Sequence, residues 1–376
     1  MLHKKAQCFI LILALFLSNF IFSAHAVSAS SAIVMVAQTG EVLYEQNARE
    51  SRSMASTTKI MTAILAIESE RLSEKVTVSD KMILGVEGTS MGLRKGDVLT
   101  LENIVKGMML LSGNDAAKAV AVFLSASEEG FAELMNKKAK EIGMKHTNFV
   151  TASGLDDENH YSTAYDMALL ASYAIQNPSF KEIVSQYYDK VEYISPESAY
   201  TYRNHNRFLQ MYEGACGIKT GFTKKSGRCL VTAVDKDGYT VVAVTLKAPD
   251  DWNDHKWLYN TCLPMVKTQE FDDKFKTKIN VVGGEKDSIF AEISKEVTLT
   301  YTKKNPITSA VYVEKFEYAP IKKGDIVGIV KFYSGNVCVK EAELLALEDV
   351  DFKEVEDKKP SIIDYIKNFF QEIKNG

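Results

Sequence analysis

The distribution of apolar positions divides the chain into three textures. Residues 32–37 (AIVMVA) form a continuous apolar run, followed by a turn signal at 38–41 and a second run at 42–44. Runs of this length bounded by turn residues predict a buried strand and its return. The period then changes. Ile60, Met61, Ile64 and Leu65 recur at helical spacing, which predicts a helix starting near Ser56. Residues 84–99 carry Gly85, Gly88, Gly92 and Gly96 and read as loop. Helices are predicted over 101–109, 116–124 and 131–142, and from a cap at Ser162 or Thr163 through Ala174. A polar loop, 147–161, separates the last two. Strands are predicted at 217–223, 229–234 and 241–246.

From about residue 269 the runs become short and alternating: 278–282, 297–301, 310–313, 326–330 and 337–339. Gly283-Gly284, Asn305-Pro306, Lys323-Gly324-Asp325 and Ser334-Gly335-Asn336 punctuate them, which predicts a small all-β domain. The third texture is a final helix over 361–374. Ile362, Ile363, Ile366, Phe369, Phe370 and Ile373 form one apolar stripe opposite a polar face of mixed sign. Such a helix fits a membrane interface, or packing on its own β domain or another subunit.

Length and charge add bounds. A chain of 376 residues suggests about two domains, and a formal net charge of -4 without a long basic run gives no hint of a nucleic-acid partner. His3-Lys4-Lys5 precede an apolar run at 8–22, and Ser23-Ala24-His25-Ala26 follow. This order predicts a secretory signal peptide, residues 1–26, with Ala29 as a second cleavage candidate. A retained anchor is the alternative, but Ser18 and Asn19 interrupt the run. The expected organisation is therefore a signal (1–26), a main domain (27–268), a β-rich domain (269–350) and a linker with the amphipathic helix (351–376). Cys216, Cys229, Cys262 and Cys338 are too sparse for a disulfide scaffold and lack zinc-ligand spacing, so four largely buried free thiols are expected.

The chemistry gathers at three short motifs. Ser56-x-x-Lys59 is the only pair of its kind in the chain. Three apart on a helix, the two side chains share a face, and an amine beside a serine hydroxyl can take its proton and make it a nucleophile. The bland reading is an N-cap serine and an exposed lysine. Ser112-Gly113-Asn114 sits on a turn between two apolar helices, and a glycine C-cap followed by an Asn or Asp N-cap explains it equally well. Lys219-Thr220-Gly221 lies on a predicted strand, where glycine permits close approach of a ligand backbone; the alternative is an exposed edge lysine. Asn204-His205-Asn206-Arg207 reads as a polar connection that braces loops. Ser56 precedes Ser112 by 56 residues and Ser112 precedes Lys219 by 107.

In this order the three motifs form the signature set of penicillin-interacting serine enzymes. Residues 55–62, 111–117, 143–154 and 217–228 resemble the D-alanyl-D-alanine carboxypeptidases of the low-molecular-mass penicillin-binding protein group, over roughly residues 30–265. Departures are Met54 where Pro is frequent, Ser226 where Ala is frequent, and Asp254-His255-Lys256 where an Arg is common. The resemblance implies an α/β sandwich of the β-lactamase and penicillin-binding-protein type, an antiparallel sheet flanked by helices. It implies Ser56 as nucleophile, Lys59 as its base and Ser112 as the relay to the leaving amine. Asn114 would hold the substrate amide, and Lys219, Thr220 and Gly221 would receive the terminal carboxylate. Backbone N–H groups of Ser56 and Phe222 would form the oxyanion hole. No metal or cofactor is required. The implied partners are peptidoglycan stem peptides ending in D-Ala-D-Ala, β-lactams as covalent inhibitors, and the outer face of the cytoplasmic membrane through the end helix. The competing readings are a class A-like β-lactamase, which needs a further deacylating Glu, and a non-catalytic penicillin-binding sensor. The only nearby Glu-x-x-Asn, Glu133 to Asn136, follows Ser112 too closely for that loop.

Overall fold

The computed structural model describes residues 27–271, 275–354 and 362–374; the expected signal peptide lies outside them. The chain divides into two units between Met265 and Val266.

Five antiparallel strands organise the first unit: β1 (Ser31–Val36), β2 (Val42–Gln46), β3 (Ala215–Thr223), β4 (Gly227–Lys236) and β5 (Tyr239–Leu246), in the order β2-β1-β5-β4-β3. β1 and β5 are buried at every position. They lie centrally and both sheet faces are covered, which is why they read as unbroken apolar runs rather than alternation. Ile33, Met35, Val231, Ala233, Val242 and Val244 face the main core. β3, which carries Lys219, is an edge strand.

Besides a four-residue helix at Asp80–Ile83, the helices are α1 (Lys59–Glu68), α2 (Leu101–Leu111), α3 (Asn114–Ser125), α4 (Glu128–Ile142), α5 (Ala164–Ile175), α6 (Pro178–Ser185) and α7 (Asp251–Cys262). α1 is buried along both its sides, with only Leu65 and Glu68 partly open, as expected of a helix enclosed by others. Side-chain caps set several starts. Thr100, Ser127, Thr163 and Asn177 each accept from a backbone N–H of the first turn, typically worth ~1 kcal/mol. Ser127 also explains why α4 begins three residues before its apolar period: Glu128 and Glu129 fill a polar first turn. On the opposite face of the sheet, α7 docks through a buried polar network. Thr232 Oγ1 and Thr245 Oγ1 lie 2.7 and 2.9 Å from the two ring nitrogens of His255, and Tyr259 Oη is 2.8 Å from Thr232 Oγ1. His255 is therefore a strut between helix and sheet.

The second unit opens with β6 (Val266–Phe271), then β7 (Lys276–Val282), β8 (Ser288–Ile293), β9 (Val297–Thr302), β10 (Ile307–Tyr312), β11 (Glu317–Tyr318), β12 (Ile326–Ser334) and β13 (Val337–Ala346). β6 pairs with β9, and the others form a six-stranded sheet ordered β10-β12-β13-β8-β7-β11. Ile279, Ile289, Ala291, Val330, Phe332 and Leu344 fill its core. β12 and β13 make the hairpin expected around Ser334-Gly335-Asn336. α8 (Ile362–Lys374) is exposed along its length, so its apolar stripe is uncovered. Among the described residues no helix is long and apolar enough to cross a membrane. Cys216, Cys229 and Cys262 are buried and free as expected, but Cys338 is exposed on β13.

Candidate active site

The chain enters α1 through a single 3₁₀ turn, Ala55–Thr58, so Ser56 precedes the α-helix rather than starting it. Helical backbone thus begins near Ser56 as expected, and residues three apart eclipse one another in a 3₁₀ turn. Lys59, fully buried, donates through Nζ to Ser56 Oγ at 2.9 Å, to Asn114 Oδ1 at 2.7 Å and to the Ser153 carbonyl at 2.6 Å. Burial, and secondarily the charge of Lys219, push its pKa well below the ordinary lysine value, while Asp115 opposes them. Two of the three acceptors are carbonyl oxygens, which can only accept. A neutral amine therefore gives its two N–H groups to Asn114 and Ser153 and turns its lone pair toward Ser56.

The Ser112-Gly113-Asn114 turn differs from the expected glycine C-cap. Ser112 itself ends α2 in the left-handed region at φ 64°, and Gly113, extended, is the N-cap of α3. A non-glycine residue there carries ~1–2 kcal/mol of strain, of the kind found at functional sites. Asn114 is engaged at both ends: its Oδ1 accepts from Lys59, and its Nδ2 donates to the Glu87 carbonyl at 2.7 Å. One N–H and one lone pair of its amide are left over. Asp115 anchors the 84–96 loop, accepting from Ser90 Oγ and from the backbone N–H groups of Met91, Gly92 and Leu93 at 2.6–2.9 Å.

On the other side runs β3. Lys219 is not the exposed edge lysine of the bland reading. It is 1 % exposed, donates to the Thr220 carbonyl at 2.9 Å, and burial lowers its pKa to about 7. Thr220, Gly221 and Phe222 line the cleft, and the Phe222 ring is 66 % exposed there. Gly221 is required by proximity: a Cβ would stand 3.1 Å from Ser56 N and from Met54 O. The edge of β3 thus touches the backbone of the serine turn, the arrangement a two-donor oxyanion site needs.

The cleft has a volume of about 370 Å³ and holds Ser56, Ser112, Thr220 and Gly221 together. It also holds residues that sequence reasoning missed. His205 and Arg207 line it, whereas their neighbours Asn204 and Asn206 do brace the loop. Arg228, Asp251 and Trp252 close one end: Arg228 Nη2 donates to Asp251 Oδ1 at 2.7 Å and the guanidinium lies 5.7 Å from the Trp252 ring centroid. Trp252 after a strand in a polar run was a visible signal. Ser153 was invisible, because it acts through its backbone carbonyl. Glu133 is exposed on α4.

A buried amine bonded to a partly exposed serine at the floor of a cleft is the arrangement of a serine acyl-transfer site. The comparisons place the chain more narrowly. The family profile "D-alanyl-D-alanine carboxypeptidase" (peptidase S11) matches residues 18–250, and "Penicillin-binding protein 5, C-terminal domain" matches residues 264–351. The chain belongs to the D-alanyl-D-alanine carboxypeptidase family. It is 33 % identical over 357 residues to D-alanyl-D-alanine carboxypeptidase DacF of Bacillus subtilis, covering 90 % of this chain and 88 % of that one. With DacC of Escherichia coli it shares 29 %, covering 87 % and 86 %. A crystal structure of a peptidoglycan synthesis regulatory factor (PBP3) from Streptococcus pneumoniae has the same fold, at a TM-score of 0.73, 23 % identity, and coverage of 87 % of this chain and 100 % of that one. These matches support the carboxypeptidase reading over the β-lactamase and sensor alternatives.

Proposed function

We propose that the protein removes the terminal D-alanine from peptidoglycan stem pentapeptides through an acyl-enzyme on Ser56. The carrying observation is the Lys59 amine, held by two carbonyl acceptors with its third direction on Ser56 Oγ. In this reading Ser56 Oγ attacks the carbonyl between the two D-alanines and its proton passes to the neutral Lys59 amine. The oxyanion forms between the backbone N–H groups of Ser56 and Phe222. Ser112 relays a proton to the departing D-alanine amine as the C–N bond breaks. Lys59, neutral again once that proton has left through Ser112, takes a proton from water as the water attacks the ester, and gives it to Ser56 Oγ as the acyl group leaves. Asn114 offers its remaining amide valences to the peptide. Thr220 meets the terminal carboxylate, with the Lys219 charge behind it and Gly221 keeping the strand edge open. That demand for a free carboxylate makes the enzyme an exopeptidase. β-Lactams acylate Ser56 by the same attack and release slowly.

The protein acts outside the cytoplasm after removal of residues 1–26, with α8 resting on the outer face of the cytoplasmic membrane and the β domain as a spacer. The uncovered stripe of Ile362, Ile366, Phe369 and Ile373 supports this placement. Ser56→Ala should fold normally and resist labelling by a fluorescent penicillin; labelling that survives the substitution refutes the assignment. A chain ending at Pro360 should lose sedimentation with membranes, and its retention there would refute the anchor.

A further inference from the structure

The polar loop between α4 and α5 is tied to the serine turn and α1 at three points. Thr62 Oγ1 donates to the Ala152 carbonyl at 2.6 Å, Lys59 Nζ donates to the Ser153 carbonyl at 2.6 Å, and Thr58 Oγ1 lies 2.9 Å from His160 Nε2. Gly154 lies against the same turn: a Cβ there would stand 2.0 Å from the Ala55 carbonyl oxygen, and its φ is 84°. His160 is the one side chain of the loop among these ties, and it is 3 % exposed. Its Nδ1 accepts from the backbone N–H groups of Val150 and Thr151 at 3.0 and 3.3 Å. That fixes the tautomer: Nε2 carries the proton and donates it to Thr58 Oγ1. One ring therefore gathers the start of the loop and fastens it to Thr58, the residue just before Lys59. The ring also packs edge-on against Phe149, with centroids 5.9 Å apart.

We propose that His160 is a positioning residue for acyl transfer: it holds the Ser153 carbonyl on the Lys59 amine and so directs the amine's lone pair at Ser56. The inference rests on the roles assigned to Ser56 and Lys59 above. The charged groups facing His160 are Asp156 and Asp157 from its own loop and Lys59 from α1, and those facing Lys59 are Lys219 from β3 and Asp115 from α3. Burial outweighs the two aspartates and keeps the ring neutral down to about pH 4, so near neutral pH it works as an uncharged strap.

Cutting the strap has two opposed effects on Lys59. A displaced Ser153 carbonyl would disfavour the ammonium, while water entering beside the loop would favour it. Burial is the largest cause of this lysine's lowered pKa, so relief of burial is the effect the test looks for, as a rise in that pKa. The test is the rate of acylation by a fluorescent penicillin between pH 5 and 10, on the full chain lacking its signal. His160→Ala should move the acid limb upward by about one pH unit, or about tenfold in rate below the limb. Thr58→Val, which removes only the far end of the strap, should do the same, and the double substitution should be no worse than either single one. His160→Gln, whose amide can both donate and accept, should restore most of the wild-type profile. Unmoved profiles, or equal slowing at every pH, in His160→Ala and Thr58→Val overturn the inference. If His160→Ala does not fold, Thr58→Val decides on the same two outcomes. Labelling of Ser56→Ala, run in parallel, would overturn the underlying reading and this inference with it.

Discussion

Lys219 should be a liability to the fold at neutral pH, and its removal should stabilise the protein. The side chain is 1 % exposed and its amine has been moved from 10.5 to about 7 by burial. At ~1.4 kcal/mol for each tenfold change in a protonation equilibrium, holding that amine charged in the fold costs about 5 kcal/mol. The unfolded chain keeps the proton up to about 10.5 and the folded chain only to about 7, so between these values the unfolded state binds more protons. This lysine therefore makes stability rise with pH across that window, with the full cost present below it. Lys219→Met keeps the length of the side chain without the charge. Against the gain stands the lost donor to the Thr220 carbonyl, worth ~1.5–3 kcal/mol. The net expectation at pH 7 is a variant more stable by ~1.5–3 kcal/mol, with the difference shrinking as pH rises and reversing sign by pH 10, where the lost donor outweighs the charge cost that remains. Urea unfolding followed by tryptophan fluorescence reads this directly, because the only two tryptophans, Trp252 and Trp257, both lie on α7 and report the first unit. A variant that is less stable at pH 7, or a difference that does not change with pH, would refute the reasoning.

Two further outcomes follow from the same geometry. Asp115→Ala removes the acceptor shared by Ser90, Met91, Gly92 and Leu93, and should cost ~2–4 kcal/mol and expose residues 84–96 to limited proteolysis; an unchanged urea midpoint with an intact loop would contradict this. Gly221→Ala sets a methyl 3.1 Å from Ser56 N and should lower the acylation rate by about 10²-fold through the oxyanion site while shifting the urea midpoint little; wild-type acylation would show that β3 does not form that site.

What the sequence disclosed depended on which atoms do the work. Ser56, Lys59, Ser112 and Asn114 stood out as candidates because the proposed chemistry needs particular side chains at particular spacings; Ser56 and Ser112 line one cleft, and Lys59 bonds Ser56 and Asn114. The central strands were legible as apolar runs because β1 and β5 are covered on both faces. Contributions made by backbone atoms left no trace: the Ser153 carbonyl on Lys59 could come from any residue type. Thr58 and His160 were hidden because their partners lie 102 positions apart, beyond any local periodicity. His205 and Arg207 alternate with the bracing Asn204 and Asn206, so their outward face was masked by their neighbours' structural role. The same limit applies to β8 in the second unit, a short strand after a charged turn whose pairing with β7 and β13 fixes it.

The most direct test of the central claim is D-alanine release from diacetyl-Lys-D-Ala-D-Ala by the protein lacking residues 1–26, beside nitrocefin hydrolysis. D-alanine release that disappears in Ser56→Ala, with slow nitrocefin turnover, is the predicted result. Fast nitrocefin turnover without D-alanine release would contradict the account and identify a β-lactamase, and penicillin labelling with neither activity would identify a sensor.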